Sequence, residues 1–127
     1  MKLVERCDVI EGCYEFMLAY AAQGVADGTE IREYLGRAVH ALTGLGAAAR
    51  EELDSPFVSV LDRDAGDAQA AAELVLAQPA ISSQLIDNLN ASIHLRALLT
   101  DLFLIDEVLK SRQRLSSSDS EKVSSLP

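Results

Sequence analysis

The sequence is 127 residues long, 49% hydrophobic and 24% charged, values that fit one compact domain and exclude a wholly disordered chain. Its 20 Asp and Glu residues against 11 Lys and Arg residues leave a formal net charge of -9, which argues against nucleic acid and anionic membrane surfaces as partners. No uncharged apolar run reaches the roughly 18 residues of a membrane-spanning helix, and Glu5, Arg6, Asp8 and Glu11 interrupt the start too early for a secretory core, so a cytoplasmic location is expected.

From Lys2 to Gln23 the apolar residues Leu3, Cys7, Ile10, Tyr14, Met17 and Ala21 recur at alternating spacings of four and three, which predicts a helix. A second stripe of Val9, Cys13, Phe16 and Tyr20 lies about 100° around the same helix, leaving Glu5, Asp8, Glu11 and Glu15 on the acidic side. Cys7 and Cys13 would stand about 9 Å apart along the axis, too far to pair, and their spacing suits neither a metal nor a redox motif. They read as buried reduced thiols.

Gly24, Asp27 and Gly28 predict a turn, with Thr29 as the cap of a second, antiparallel helix over about Glu30 to Leu53. Its face is Ile31, Tyr34, Leu35, Ala38, Leu42, Leu45 and Ala49, and Gly36, Gly44 and Gly46 imply either close helix approach or a bend. Asp54-Ser55-Pro56 stops that helix and restarts the chain in a turn or two around Phe57 to Leu61. Asp62 to Gly66 reads as a break, followed by a short Ala-rich helix over Asp67 to Gln78.

After Pro79 nothing up to Arg112 forces a break, so one long helix is expected. Its apolar direction nevertheless changes midway. Leu85, Ile86, Leu89 and Ile93 define one face, and Leu95, Leu98, Leu102, Ile105 and Leu109 another, turned by roughly 160°, which requires a kink or a second burying surface. Residues 115–127 are Ser-rich and polar and read as a flexible tail on a single helical domain, 1–114.

The constellations that carry chemistry are sparse. Neither histidine has a Glu three residues before it, as a dinuclear carboxylate bundle requires, and His40 falls beside Glu33 and Arg37 on the polar side. His94 shares a helical side with Asp87 and Asp101, but the two Asp residues would be about 21 Å apart along one helix, too far to share an ion. No nucleotide loop or nucleophile motif occurs, so no catalytic residue, metal or cofactor is assigned.

The expectation is therefore an all-α, antiparallel bundle of four principal helices plus a short connecting helix. Its expected role is that of a non-enzymatic interaction or regulatory module, a dimer or higher homo-oligomer, with the acidic face open to a protein partner. The surplus apolar surface assigned to the partner interface is Val9, Cys13, Phe16, Tyr20, Leu95, Leu98, Leu102, Ile105 and Leu109. The alternative is a small-molecule- or metal-dependent enzyme with a pocket between helices, using His94, Asp87 and Asp101.

Overall fold

In the computed structural model, residues 1–23 and 28–124 are described, with side chains through Leu115. The fold is all-α: α1 (Leu3–Gln23), α2 (Gly28–Leu42), α3 (Leu45–Arg50), α4 (Phe57–Leu76), α5 (Ser83–Ala91) and α6 (Ile93–Ser124). Among the described residues there is no strand, and no helix is long and apolar enough to cross a membrane.

On α1 the core takes Leu3, Ile10, Cys13, Met17 and Tyr20, a line that runs between the two stripes of the sequence and draws from both. Residues 24–27 of the expected turn lie outside the described residues, and α2 begins at Gly28, one position before the expected cap. Phe16 stacks on Tyr34 with ring centroids 4.1 Å apart, and Arg6 reaches the other end of α2, so α1 and α2 run antiparallel.

The expected long second helix is corrected to two. Gly44 adopts φ 83, a left-handed conformation that ends α2 and turns the chain into α3. Gly46 then permits close approach to α4, since a Cβ there would sit 2.8 Å from the Cβ of Asp62. Bend and close packing are thus both present, at glycines two residues apart.

Between residues 57 and 76 the opposite correction applies. One continuous α4 replaces two short helices, because Val58, Leu61, Ala65, Ala68, Ala72 and Val75 keep a three-and-four spacing straight through the expected break at Asp62 to Gly66. Gly66 is exposed and would tolerate a Cβ without contact, so it interrupts nothing. Small alanines on this face let neighbouring helices approach α4.

The expected single helix after Pro79 divides at Ser92, whose backbone is extended (φ -63, ψ 144). Ser82 caps α5 by accepting from Leu85 N–H (3.0 Å), and Ser92 accepts from Leu95 N–H (3.3 Å) at the start of α6. The break resolves the change of face: Ile86 and Leu89 before it and Leu95, Leu98 and Leu102 after it all enter one core, while Ile93 is left exposed. With no Pro or Gly from residue 80 to 126, α6 then continues through much of the Ser-rich segment to Ser124.

Three arginines tie the helices together by the same chemistry. Helix C-termini leave carbonyls without intrahelical donors, and a guanidinium can satisfy several at once. Arg6 of α1 donates to Ala41 O (2.9 Å) and Thr43 O (2.6 Å) at the end of α2, and Arg32 of α2 donates to Leu76 O (3.0 Å), the last carbonyl of α4, and to Gln78 O (2.6 Å) just beyond it. Arg112 of α6 donates to Glu52 O (3.0 Å) beyond α3. Tyr20 adds a buried hydrogen bond to Ile81 O (2.6 Å), fixing the approach to α5.

Candidate interaction surface

The residues expected at a partner interface divide into two sets. Cys13, Tyr20, Leu95, Leu98, Leu102 and Ile105 are buried in the chain's own core, which corrects their assignment to an oligomer contact. Among the described residues the helices of the single chain supply enough internal surface to cover them. Val9, Phe16 and Leu109 are half-buried and pack against that core.

Open apolar side chains gather elsewhere, on the outer side of α4 and α6, while Val4 and Leu18 of α1 and Phe103 on another side of α6 are exposed apart from them. Helices α4 and α6 run antiparallel, with Phe57 beside Val108 and Asp64 facing Asp101. On α4, Val60 (39% exposed) lies about 40° around the helix from Asp64, which faces α6, and Leu74 (67%) about 80° from it, further out toward solvent. On α6, Ile93 (74%), Leu104 (54%), Val108 (45%) and Leu115 (67%) recur at intervals of eleven, four and seven, within about 60° of one another around the helix. Ala97 continues the same stripe. Near its middle, Leu53, Phe57, Leu104, Ile105, Val108 and Arg112 border a groove of about 280 Å³.

A pair of carboxyls stands in this apolar surface. Asp101 is 6% exposed, and its Oδ2 is buried without a hydrogen-bond donor. Burial, and then the facing carboxyl of Asp64, push the Asp101 carboxyl up to about 7. With one proton between them the two groups share a hydrogen bond; without it two acceptors and two negative charges meet. His94 and Asp87, the other members of the expected polar patch, are both exposed, and the partner that the fold brings to Asp101 is Asp64.

Elsewhere the polar groups are scattered: Asn90 is buried with both amide atoms unpartnered, and Arg32, Glu33, Arg37 and His40 border a depression of about 520 Å³ between α1 and α2. Burial first, then Glu11, Asp106, Asp8 and Glu52, push the Cys7 thiol up to about 12, and burial does the same at Cys13 against a small opposing effect of Arg37. Both thiols therefore stay protonated and unreactive. On α1 the acidic side remains largely in solvent, although Glu11, partly desolvated and near Asp106 of α6, has its carboxyl pushed up. Among the described residues no three His, Cys, Asp or Glu side chains group as metal ligands. At the core centre, where α1, α2, α4, α5 and α6 converge, an apolar void of about 20 Å³ is too small for a substrate.

Asp64, Val60 and Leu74 were missed by sequence reasoning because residues 57–78 were divided into two pieces. As one helix, positions 57, 60, 64, 71 and 74 align on one side, and that spacing is the signal that would have found them. No known family model, curated protein or solved structure matches this chain.

Proposed function

We propose that the protein is a non-enzymatic helical interaction module of the cytoplasm that acts as a homo-oligomer through the outer face of α4 and α6. The observation that carries this reading is the alignment of Val60, Leu74, Ile93, Leu104, Val108 and Leu115 along one side of two packed helices, all of them open to solvent. Contiguous apolar surface of this kind is retained where a second surface covers it. The acidic side of α1 stays free for a different protein partner. The enzyme alternative has weaker support, since His94 and Asp87 join no site with Asp101 and the void at the core centre admits no substrate, although Arg32, Glu33, Arg37 and His40 border a depression of about 520 Å³ between α1 and α2.

The test is the mass in solution at tens of micromolar, for the wild type and for a Leu104→Gln/Val108→Gln variant. A dimer or larger species is expected for the wild type and a monomer of unchanged helicity for the variant, because both positions are exposed in the single chain. A monodisperse wild-type monomer, or a variant that assembles as tightly as the wild type, would overturn the reading.

A further inference from the structure

We infer that the surface covering α4 and α6 is that of a second copy of this chain, laid antiparallel along α6 about a two-fold axis near residues 106 and 107, so that Arg112 of each copy completes the Asp64–Asp101 pair of the other. This inference rests on the self-association proposed above and adds its geometry.

The argument begins with a site that lacks its counter-charge. Asp101 is 94% removed from solvent, has an unpartnered Oδ2, and faces a second carboxyl rather than a cation. From α4 the group facing it is Asp64, and α5, the other helix packed on this part of α6, carries Asp87 as its one charged residue, exposed. On α6 itself the nearest ionisable groups toward that side are His94, seven residues before, and Arg112, eleven residues after, about 10 and 16 Å away along the axis. Neither spans that distance within one chain.

Eleven residues is close to three helical turns, so Arg112 and Asp101 point the same way from α6, about 20° apart. Two antiparallel copies with the axis midway between them bring each Arg112 level with the other copy's Asp101. Both lie on the edge of α6 nearest α4, where Asp64 also stands. The rest of the stripe follows the same symmetry: Leu104 and Val108 flank the axis, and Leu115 comes over Ala97, a large side chain against a small one. Arg112 spends one Nη1 hydrogen on Glu52 O, which leaves donors on the same planar group for a carboxylate. Each copy carries a net charge of -9, so two copies repel at long range. Assembly then depends on this local match, an isologous contact in which one copy contributes to the other's site.

Three measurements test the register. Oxidation of a Val108→Cys variant is expected to give a disulfide-linked dimer, whereas Ile93→Cys, with about 40 Å between symmetry-related positions, does not cross-link. Arg112→Gln is expected to weaken association tenfold or more at pH 8, and by a much smaller factor at pH 5, where the carboxyl pair keeps its proton and needs no cation. Circular dichroism checks that helicity is retained, and Arg112→Lys should restore part of the affinity. If Ile93→Cys cross-links as readily as Val108→Cys, the copies are parallel and the inference falls. It also falls if Arg112→Gln assembles as tightly as wild type at pH 8 while Leu104→Gln/Val108→Gln is monomeric, an outcome that leaves self-association through this face standing. A monomeric wild type removes both.

Discussion

The two flanks of the molecule use similar residues to different ends. On the α1/α2 flank part of the outward apolar surface is closed over by the chain itself, since Phe16 lies flat on Tyr34 and the Arg37 guanidinium sits 4.6 Å above that ring, while Val4 and Leu18 at the far side of α1 stay open. On the α4/α6 flank Val60, Leu104 and Val108 meet no such cover, and a carboxyl pair replaces the cation over the ring. An apolar stripe in a sequence therefore does not reveal whether it faces core or partner. What separates the two flanks is whether a neighbouring helix of the same chain passes over the stripe.

The strongest way to break this comparison is to truncate one leucine on each side of the same helix. Leu102 is fully buried, so Leu102→Ala should lower unfolding stability by about 2–5 kcal/mol, through lost transfer energy and the cavity left behind. Leu104→Ala, two positions on, should change the stability of the isolated chain by no more than ~0.5 kcal/mol. Urea unfolding of dilute samples measures both. Equal losses would show that α6 does not divide into a buried and an open side.

Next in size is Gly46→Ala, which probes the closed side. Its Cβ would meet the Cβ of Asp62, which is fixed to the α4 backbone and cannot rotate away, so α3 and α4 must separate. A loss of about 1–3 kcal/mol is expected from such overpacking. Gly66→Ala on the exposed side of α4 meets nothing and should be neutral or slightly stabilising in the same assay.

The carboxyl pair makes the open side sensitive to pH. In the monomeric Leu104→Gln/Val108→Gln background, Asp101 holds its proton up to about 7, whereas in the unfolded chain it releases it near the ordinary value of 3.8. The folded state thus binds more protons between those values. Its contribution to stability is full at low pH and is lost as pH rises through about 7. Melting temperature should accordingly fall between pH 5 and pH 8, and Asp101→Asn should flatten that part of the profile. A rise over the same interval, or an unchanged slope in Asp101→Asn, would contradict the pairing with Asp64.

The smallest effect expected is an absence of reaction. With both thiols pushed up to about 12, a disulfide reagent at pH 8 should label neither Cys7 nor Cys13 in the native protein and both after unfolding in urea. Rapid labelling of Cys7 in native protein would mean that the space between α1 and α6 opens more than the structure shows.

Much of the architecture can be read from residue order because helical periodicity is local. The alternation over residues 3–21 yields α1, and the Asp54-Ser55-Pro56 signal marks the gap before α4. The turn of the apolar face by roughly 160° after Ile93 signals a kink or a second burying surface, and the structure decides for a break, at Ser92. Tertiary structure decided what local pattern left open. Gly44 and Gly46 look alike in sequence, yet one turns the backbone and the other admits Asp62, because the first needs a positive φ and the second needs room. Gly66 has neither role, since α4 presents it to solvent. Asp64 and Asp101 are 37 positions apart, and only the antiparallel packing of α4 on α6 brings their carboxyls together. The same packing decides which leucines of α6 are core and which remain open, because burial depends on where neighbouring helices lie rather than on the sequence of the helix itself.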